Sequence, residues 1–279
     1  MTRDNDVATL FEPLKDHIGS RFIGSRDQLF DRKVAEHCRA LLETRVILLF
    51  PEVHLSNEEQ LAFTDLLGTR INISSEATTS KSDDVYQVTL DKKINRAPEY
   101  VLGTFFWHMD GMPLDMPVPK ATLLSARSVA PKGGQTEFAS TIAAYELMPL
   151  ERREEVEDLH VIHSVKASLR PIADVIPEAH RKYLNLEVSK ERPLVFTHPD
   201  GAKSFILGST ADTIAGMELA YGRALLARLN EWTTQPDFVY SHSWKQGDFV
   251  VWNNCGALHR VVPYAADSGR MMHRTSISG

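Results

Sequence analysis

Two groups able to bind a metal stand one residue apart in Phe105-Phe106-Trp107-His108-Met109-Asp110, just ahead of Gly111, Met112 and Pro113. Successive side chains alternate across a strand, so an extended chain sends His108 and Asp110 to the same face. A third donor must come from elsewhere. His259 is the best placed, just beyond the apolar run Phe249-Val250-Val251-Trp252 that reads as a core strand. Two histidines and one carboxylate leave coordination positions open, the arrangement used by non-haem Fe(II) oxygenases. The same donors suit a zinc ion that activates water, or are histidines with no common purpose, and spacing alone leaves these alternatives open.

The pattern needs support, because 11 histidines make one chance His-x-Asp expected, to within about a factor of two. A second copy does occur, His198-Pro199-Asp200-Gly201, but Pro-Asp-Gly between two strand-like runs reads as a hairpin turn. The run Arg270 to Ile277 carries more information. On a strand, Arg270, Met272 and Arg274 share one face and Met271, His273 and Thr275 the other. If the first face points inward, two guanidinium groups lie beside the metal and require anionic partners. A dicarboxylate is suitable, since the planar fork of arginine grips a carboxylate through two parallel hydrogen bonds. The opposite orientation, with His273 inward and both arginines in solvent, fits the sequence equally well.

The elements that must position these groups are mixed. Residues 27–44 carry an apolar helical face, and Arg45 to Phe50 reads as a short buried strand. Ser56 and Glu59 have capping-box spacing ahead of a second helix that ends at Gly68. Strands are expected at 85–90, 121–129, 136–140, 193–198, 204–208, 238–244, 248–252 and 270–277. One long helix follows an N-cap at Ser140 or Thr141, and another spans about 220–234. Many short strands separated by Pro and Gly favour a sandwich or jelly roll. Two irregular excursions, near 71–104 and 165–193, read as lids over the sheet.

Composition bounds the partner. A chain of 279 residues that is 43% hydrophobic and 24% charged is expected to form one domain over 1–279. A net charge of -6 argues against nucleic acid or an anionic membrane, leaving a small molecule. Cys38 and Cys255 make neither a zinc knuckle nor a disulfide framework. The acidic N-terminus is unlike a signal peptide, and no stretch has the length of a membrane span, so a cytoplasmic location is expected.

Four stretches carry a resemblance: FFWHMD at 105–110, APKGGQTEFASTIAAYELMP at 130–149, PLVFTHPDGAKSFIL at 193–207 and the segment from Phe238 to Ile277. They resemble the Fe(II)/2-oxoglutarate-dependent dioxygenases of the taurine dioxygenase and dichlorophenoxyacetate dioxygenase (TauD/TfdA) group, from about Arg45 to the C-terminus. The resemblance implies a mainly β fold with flanking helices and a double-stranded β-helix (jelly-roll, cupin-like) core. It implies that His108, Asp110 and His259 hold Fe(II), that 2-oxoglutarate and O2 are cosubstrates, and that Arg270 and Thr136 bind the distal carboxylate of 2-oxoglutarate. Arg274 matches a second arginine that holds an acidic substrate, and related enzymes commonly form homo-oligomers.

Two departures stand out. The family commonly reads Trp-Asp-Asn-Arg where this chain has Trp252-Asn253-Asn254-Cys255, and Cys255 is expected to pack. Gly111-Met112-Pro113 lack the large side chains of sulfonate-using members, which argues against taurine. Retention of Asp110 favours hydroxylation, desaturation or oxidative cleavage over halogenation. For substrate contacts we expect Arg274 as anion anchor, Asn72 and Thr104 as polar contacts, and Met112, Phe205 and Leu207 as apolar wall, although Met and Leu beside a core strand are most often core. Read from the residues alone, a cupin-like zinc hydrolase or a non-catalytic metabolite-binding barrel remain the alternatives.

Overall fold

The computed structural model describes residues 7–71, 85–95, 98–115, 118–178, 180–181 and 187–279. Strands β1 (Phe11–Pro13), β2 (Ser20–Phe22) and β3 (Ile47–Phe50) open the chain, with helix α1 (Arg32–Arg45) before β3 and α2 (Asn57–Leu67) after it. Asp31 caps α1 by accepting from Lys33 N–H, and the Ser56/Glu59 capping box of α2 is present with Gly68 as its C-cap. Next come β4 (Tyr86–Val88), α3 (Glu99–Gly103), β5 (Pro119–Ser128), β6 (Thr136–Ser140), α4 (Thr141–Glu146), α5 (Leu150–Val156) and β7 (His160–Ser164). The chain closes with α6 (Val165–Leu169), β8 (Ser189–Pro193), β9 (Val195–Thr197), β10 (Lys203–Phe205), β11 (Ala211–Ile214), α7 (Leu219–Thr233), β12 (Val239–His242), β13 (Phe249–Asn253), β14 (Ala257–Val261) and β15 (Met271–Ser278).

A seven-stranded sheet in the order β1-β2-β3-β13-β5-β15-β4 faces a three-stranded sheet, β12-β6-β14, and a second three-stranded sheet, β11-β7-β8, and the β9–β10 pair complete the shell. This is the expected mainly β, double-stranded β-helix architecture with flanking helices. Strands β3 and β13 read as nearly continuous apolar runs because both of their faces are buried, and β5 between them carries its apolar side chains in its middle. Leu48, Phe50, Leu123, Phe249 and Val251 pack under α1 and α2, while Ile47, Leu49, Leu124, Val250 and Trp252 point inward toward Phe138 of β6. Phe50 is wholly buried and lies 5.5 Å from Phe63 and 5.7 Å from Phe249, ring centre to ring centre. Truncating it to alanine would cost about 3–5 kcal/mol.

Three local expectations are corrected. The single helix expected after Ser140 is two, α4 and α5, because Pro149 interrupts the run. Ser140 is the N-cap of the first, its hydroxyl accepting from Ala143 N–H at 3.1 Å. Strand β14, which carries His259, was not anticipated, since Gly256 and the short Ala257-Leu258-His259 run resemble a loop. Within the excursion at 165–193 the described residues form α6, a 3-10 turn and β8, which adds a strand to β7.

Candidate metal centre

The site is assembled by β13 and β14, which run from the large sheet to the small one through the turn at Asn254, Cys255 and Gly256. One edge of β14 pairs with β6. The other is met by the 107–109 segment at one point, where His108 N–H donates to His259 O and His259 N–H donates to His108 O, both at 3.0 Å. Directly opposed residues of an antiparallel pair project side chains to the same side. The two imidazoles therefore emerge together, with ring centres 4.1 Å apart. The expected continuous strand through Asp110 does not form: the chain turns at Asp110 instead. That turn still returns the carboxylate to the imidazoles, with Asp110 Oδ1 4.0 Å from Nε2 of each histidine. One ligand atom from each of the three lies within 4.8 Å of the others, and no other such group of three occurs among the described residues.

Each donor is held in a state fit for a cation. His108 Nδ1–H donates to Phe106 O at 2.8 Å, leaving Nε2 as a lone-pair donor. Thr122 of β5 donates its hydroxyl to Asp110 Oδ2 at 2.9 Å, so Oδ1 faces the histidines. Burial would raise the Asp110 carboxyl, but the Arg274 guanidinium, the two imidazoles and the Thr122 hydroxyl outweigh it and hold the group at about 2. Burial, with His108 and Arg274 beside it, lowers His259 to about 3, and burial also lowers His108. Near neutral pH the site is thus one carboxylate and two neutral imidazoles, the donor set for a divalent first-row metal.

The C-terminal strand resolves the orientation left open by the sequence. Met272 packs inward with Trp252, and Arg274 Nη1 lies 3.7 Å from Asp110 Oδ1, whereas His273 and Thr275 meet Asn57, Gln60 and Thr64 on the outer face. Arg274 stacks over Tyr86, with Cζ 4.8 Å from the ring centre. Arg270 is 3% exposed, lies over Tyr264 at 4.9 Å, and its Nη2 has no hydrogen-bond partner among the described residues. A Cβ at Gly134, where φ is +77°, would stand 3.2 Å from Arg270 Cδ and Nε, so glycine leaves the room this side chain occupies. A buried guanidinium with an unspent N–H calls for an anion, which a dicarboxylate supplies. Thr136 Oγ1 accepts from Trp244 Nε1 at 2.9 Å, so its own proton is left to donate.

The remaining candidates are placed differently. Thr104 donates its hydroxyl to Val101 O at 2.7 Å and its carbonyl accepts from Val261 N–H. Met112, Phe205 and Leu207 pack in the larger core cluster, Phe205 edge-on to Tyr145 at 5.3 Å. Asn72 lies outside the described residues. His198 and Asp200 form the β9–β10 hairpin, His198 Nε2 bonding Ser204 Oγ and Asp200 Oδ1 accepting from Ala202 N–H. Asn253 donates to Leu42 O and Glu43 Oε2, and Cys255 packs in the core with its thiol pushed up to about 11 by burial. A cavity of about 610 Å³ opens between α1 and the β9–β10 hairpin, but none of the three donors lines it. Sequence reasoning missed Thr122, Trp244 and Tyr86, which belong to other elements than the residues they serve.

Comparisons with known proteins converge on one group. The family model described as "Taurine catabolism dioxygenase TauD, TfdA family" matches residues 10–276. An alpha-ketoglutarate-dependent 2,4-dichlorophenoxyacetate dioxygenase of Cupriavidus pinatubonensis is 34% identical over 271 residues, covering 92% of this chain and 93% of its own. An (S)-phenoxypropionate/alpha-ketoglutarate-dioxygenase of Sphingobium herbicidovorans is 32% identical, covering 84% and 82%. The crystal structure of AAD-2 with Mn(II) and N-oxalylglycine superposes with a TM-score of 0.79 at 31% identity over 96% of each chain.

Proposed function

Since the chain belongs to the TauD, TfdA family of dioxygenases, we propose that it is an Fe(II)/2-oxoglutarate-dependent dioxygenase. It oxidises a C–H bond of a small, partly apolar organic anion and releases succinate and carbon dioxide. His108, Asp110 and His259 hold the ferrous ion, which when bound supplies dioxygen activation coupled to decarboxylation of the keto acid. Arg270 takes the distal carboxylate of 2-oxoglutarate through its unspent N–H, and Thr136 donates to the same group. No helix among the described residues is long and apolar enough to cross a membrane. The large sheet draws strands from both ends of the chain, β1 to β3 and β15, which supports reading 1–279 as one catalytic domain.

The observation that carries the substrate class is Arg274. Its guanidinium sits beside Asp110 and is held against the face of Tyr86, so a fixed cation flanks the metal position. An aryloxy carboxylate suits that cation, with its acid on Arg274 and its ring on apolar surface. Thr104, Asn72, Met112, Phe205 and Leu207 are the further contacts this reading assigns, with the last three shaping the wall from the core. The test is succinate formation and oxygen uptake with Fe(II) and 2-oxoglutarate across aryloxyacetates, 2-aryloxypropionates, alkyl sulfates and neutral lactones. Aryloxy acids should raise succinate well above the substrate-free rate. Stimulation by neutral compounds alone would overturn the substrate class.

A further inference from the structure

Of the three donors, His108 and His259 bond each other's backbone, whereas the backbone groups of Asp110 are bonded by a side chain. The pairing that registers His108 against His259 ends there, because the chain turns at Asp110 and moves off the edge of β14. Its peptide groups are taken up by a side chain. Asn254 Oδ1 accepts from Asp110 N–H at 2.9 Å, and Asn254 Nδ2 donates to Asp110 O at 2.8 Å. A carboxamide offers an acceptor and a donor side by side at any pH, without needing a proton as a carboxyl would, and so matches the N–H and C=O of one residue. Asn254 is itself fixed: it is wholly buried, its N–H donates to Lys120 O at 2.9 Å, and Gly256 N–H closes the turn onto Asn253 O at 3.1 Å.

From this arrangement we infer that Asn254 is a positioning residue for the metal centre, setting the Asp110 carboxylate in register with both histidines. The inference rests on the Fe(II) reading above and extends it. The β13–β14 turn grips Asp110 through Asn254, and five residues later β14 grips His108 through the backbone of His259. One short stretch, the β13–β14 turn with the start of β14, therefore places all three donors, and Thr122 fixes which carboxylate oxygen faces inward. Without the carboxamide, the Asp110 N–H and C=O are released, and the carboxylate moves with a backbone that no strand pairing holds. Groups that orient metal ligands in this way typically contribute about 10–100-fold in metal affinity when removed.

The test is titration of the metal-free full chain with Co(II) under anaerobic conditions, read by the visible ligand-field bands, for wild type, Asn254→Ala and Asn254→Asp. Unfolding midpoints of the metal-free proteins are measured in parallel. Asn254→Ala should weaken Co(II) binding at least 10-fold and alter the bands while the metal-free protein keeps a cooperative transition. Asn254→Asp is nearly isosteric and keeps the acceptor for Asp110 N–H. It should lose affinity and alter the bands less than alanine does, and it decides the matter alone if the alanine variant does not fold. Wild-type affinity and spectrum in a folded variant would overturn the inference, as would losses that only track global unfolding. Failure of the wild type itself to bind Co(II) or Fe(II) would instead strike the metal reading on which the inference stands.

Discussion

His108 and His259, 151 positions apart in the chain, exchange two backbone hydrogen bonds of 3.0 Å and so are in register before any metal joins them. Because backbone atoms make this bridge, replacing an imidazole removes a donor without removing the contact. His259→Ala should therefore abolish Fe(II) binding while the metal-free protein unfolds within a few degrees of wild type. Anaerobic Fe(II) titration and thermal unfolding check the two halves. Retained stoichiometric Fe(II) binding would remove His259 from the site.

Gly208 supports the same segment from the other side. A Cβ there would lie 2.8 Å from His108 Cα and 2.9 Å from Trp107 O, and φ is +101°. Gly208→Ala must displace the His108 backbone or strain its own, and should destabilise the protein by about 1–3 kcal/mol. Urea unfolding reads this loss, and the variant should also bind Fe(II) more weakly. An unchanged midpoint would mean the segment yields freely.

Arg274 is the expected anion anchor for substrate. Arg274→Gln should raise KM for an aryloxy acid about 10–100-fold, the equivalent of one charge-assisted contact. KM for 2-oxoglutarate should change much less, because the proposed partner of that group is Arg270. Steady-state succinate assays with each ligand varied in turn separate the two. Equal effects on both would contradict the proposed division of the two ligands between Arg270 and Arg274.

Much of this was legible in the sequence, and the limits have physical causes. Capping chemistry is local, so Ser56, Glu59 and Gly68 announce α2 without tertiary help. Strand parity put Arg270, Met272 and Arg274 on one face, but which face is inward depends on α2 covering the other through Gln60 and Thr64, which the strand's own pattern does not record. The His-x-Asp pair was found for a partly different reason from the real one: the carboxylate returns by a turn, not by strand alternation. Asn254, Thr122 and Trp244 act across 144, 12 and 108 positions, and a polar residue in a strand or turn carries no local sign of such a partner.

His163 gives a pH prediction away from the metal. It is fully buried, bonds Thr210 Oγ1 at 2.8 Å, and burial, with Arg192 adding, lowers its pKa from 6.5 to about 3. The folded chain keeps this ring neutral while the unfolded chain takes up a proton below 6.5, so its contribution to stability is lost as pH falls from 6.5 toward 3. The slope is about 1.4 kcal/mol per pH unit once the unfolded-state ring is fully protonated. His163→Asn removes it. Urea unfolding at pH 7 and pH 5 should show wild type losing more stability than the variant, and parallel losses would contradict the assignment.

The most direct measurement is the visible spectrum of the anaerobic protein with Fe(II) as 2-oxoglutarate is added. Chelation of the keto acid to a ferrous ion held by His108, Asp110 and His259 predicts a weak charge-transfer band. In Arg270→Ala the band should be lost at moderate cosubstrate concentration and restored by excess. Fe(II) bound by the wild type with no spectral response to 2-oxoglutarate at any concentration would contradict the account.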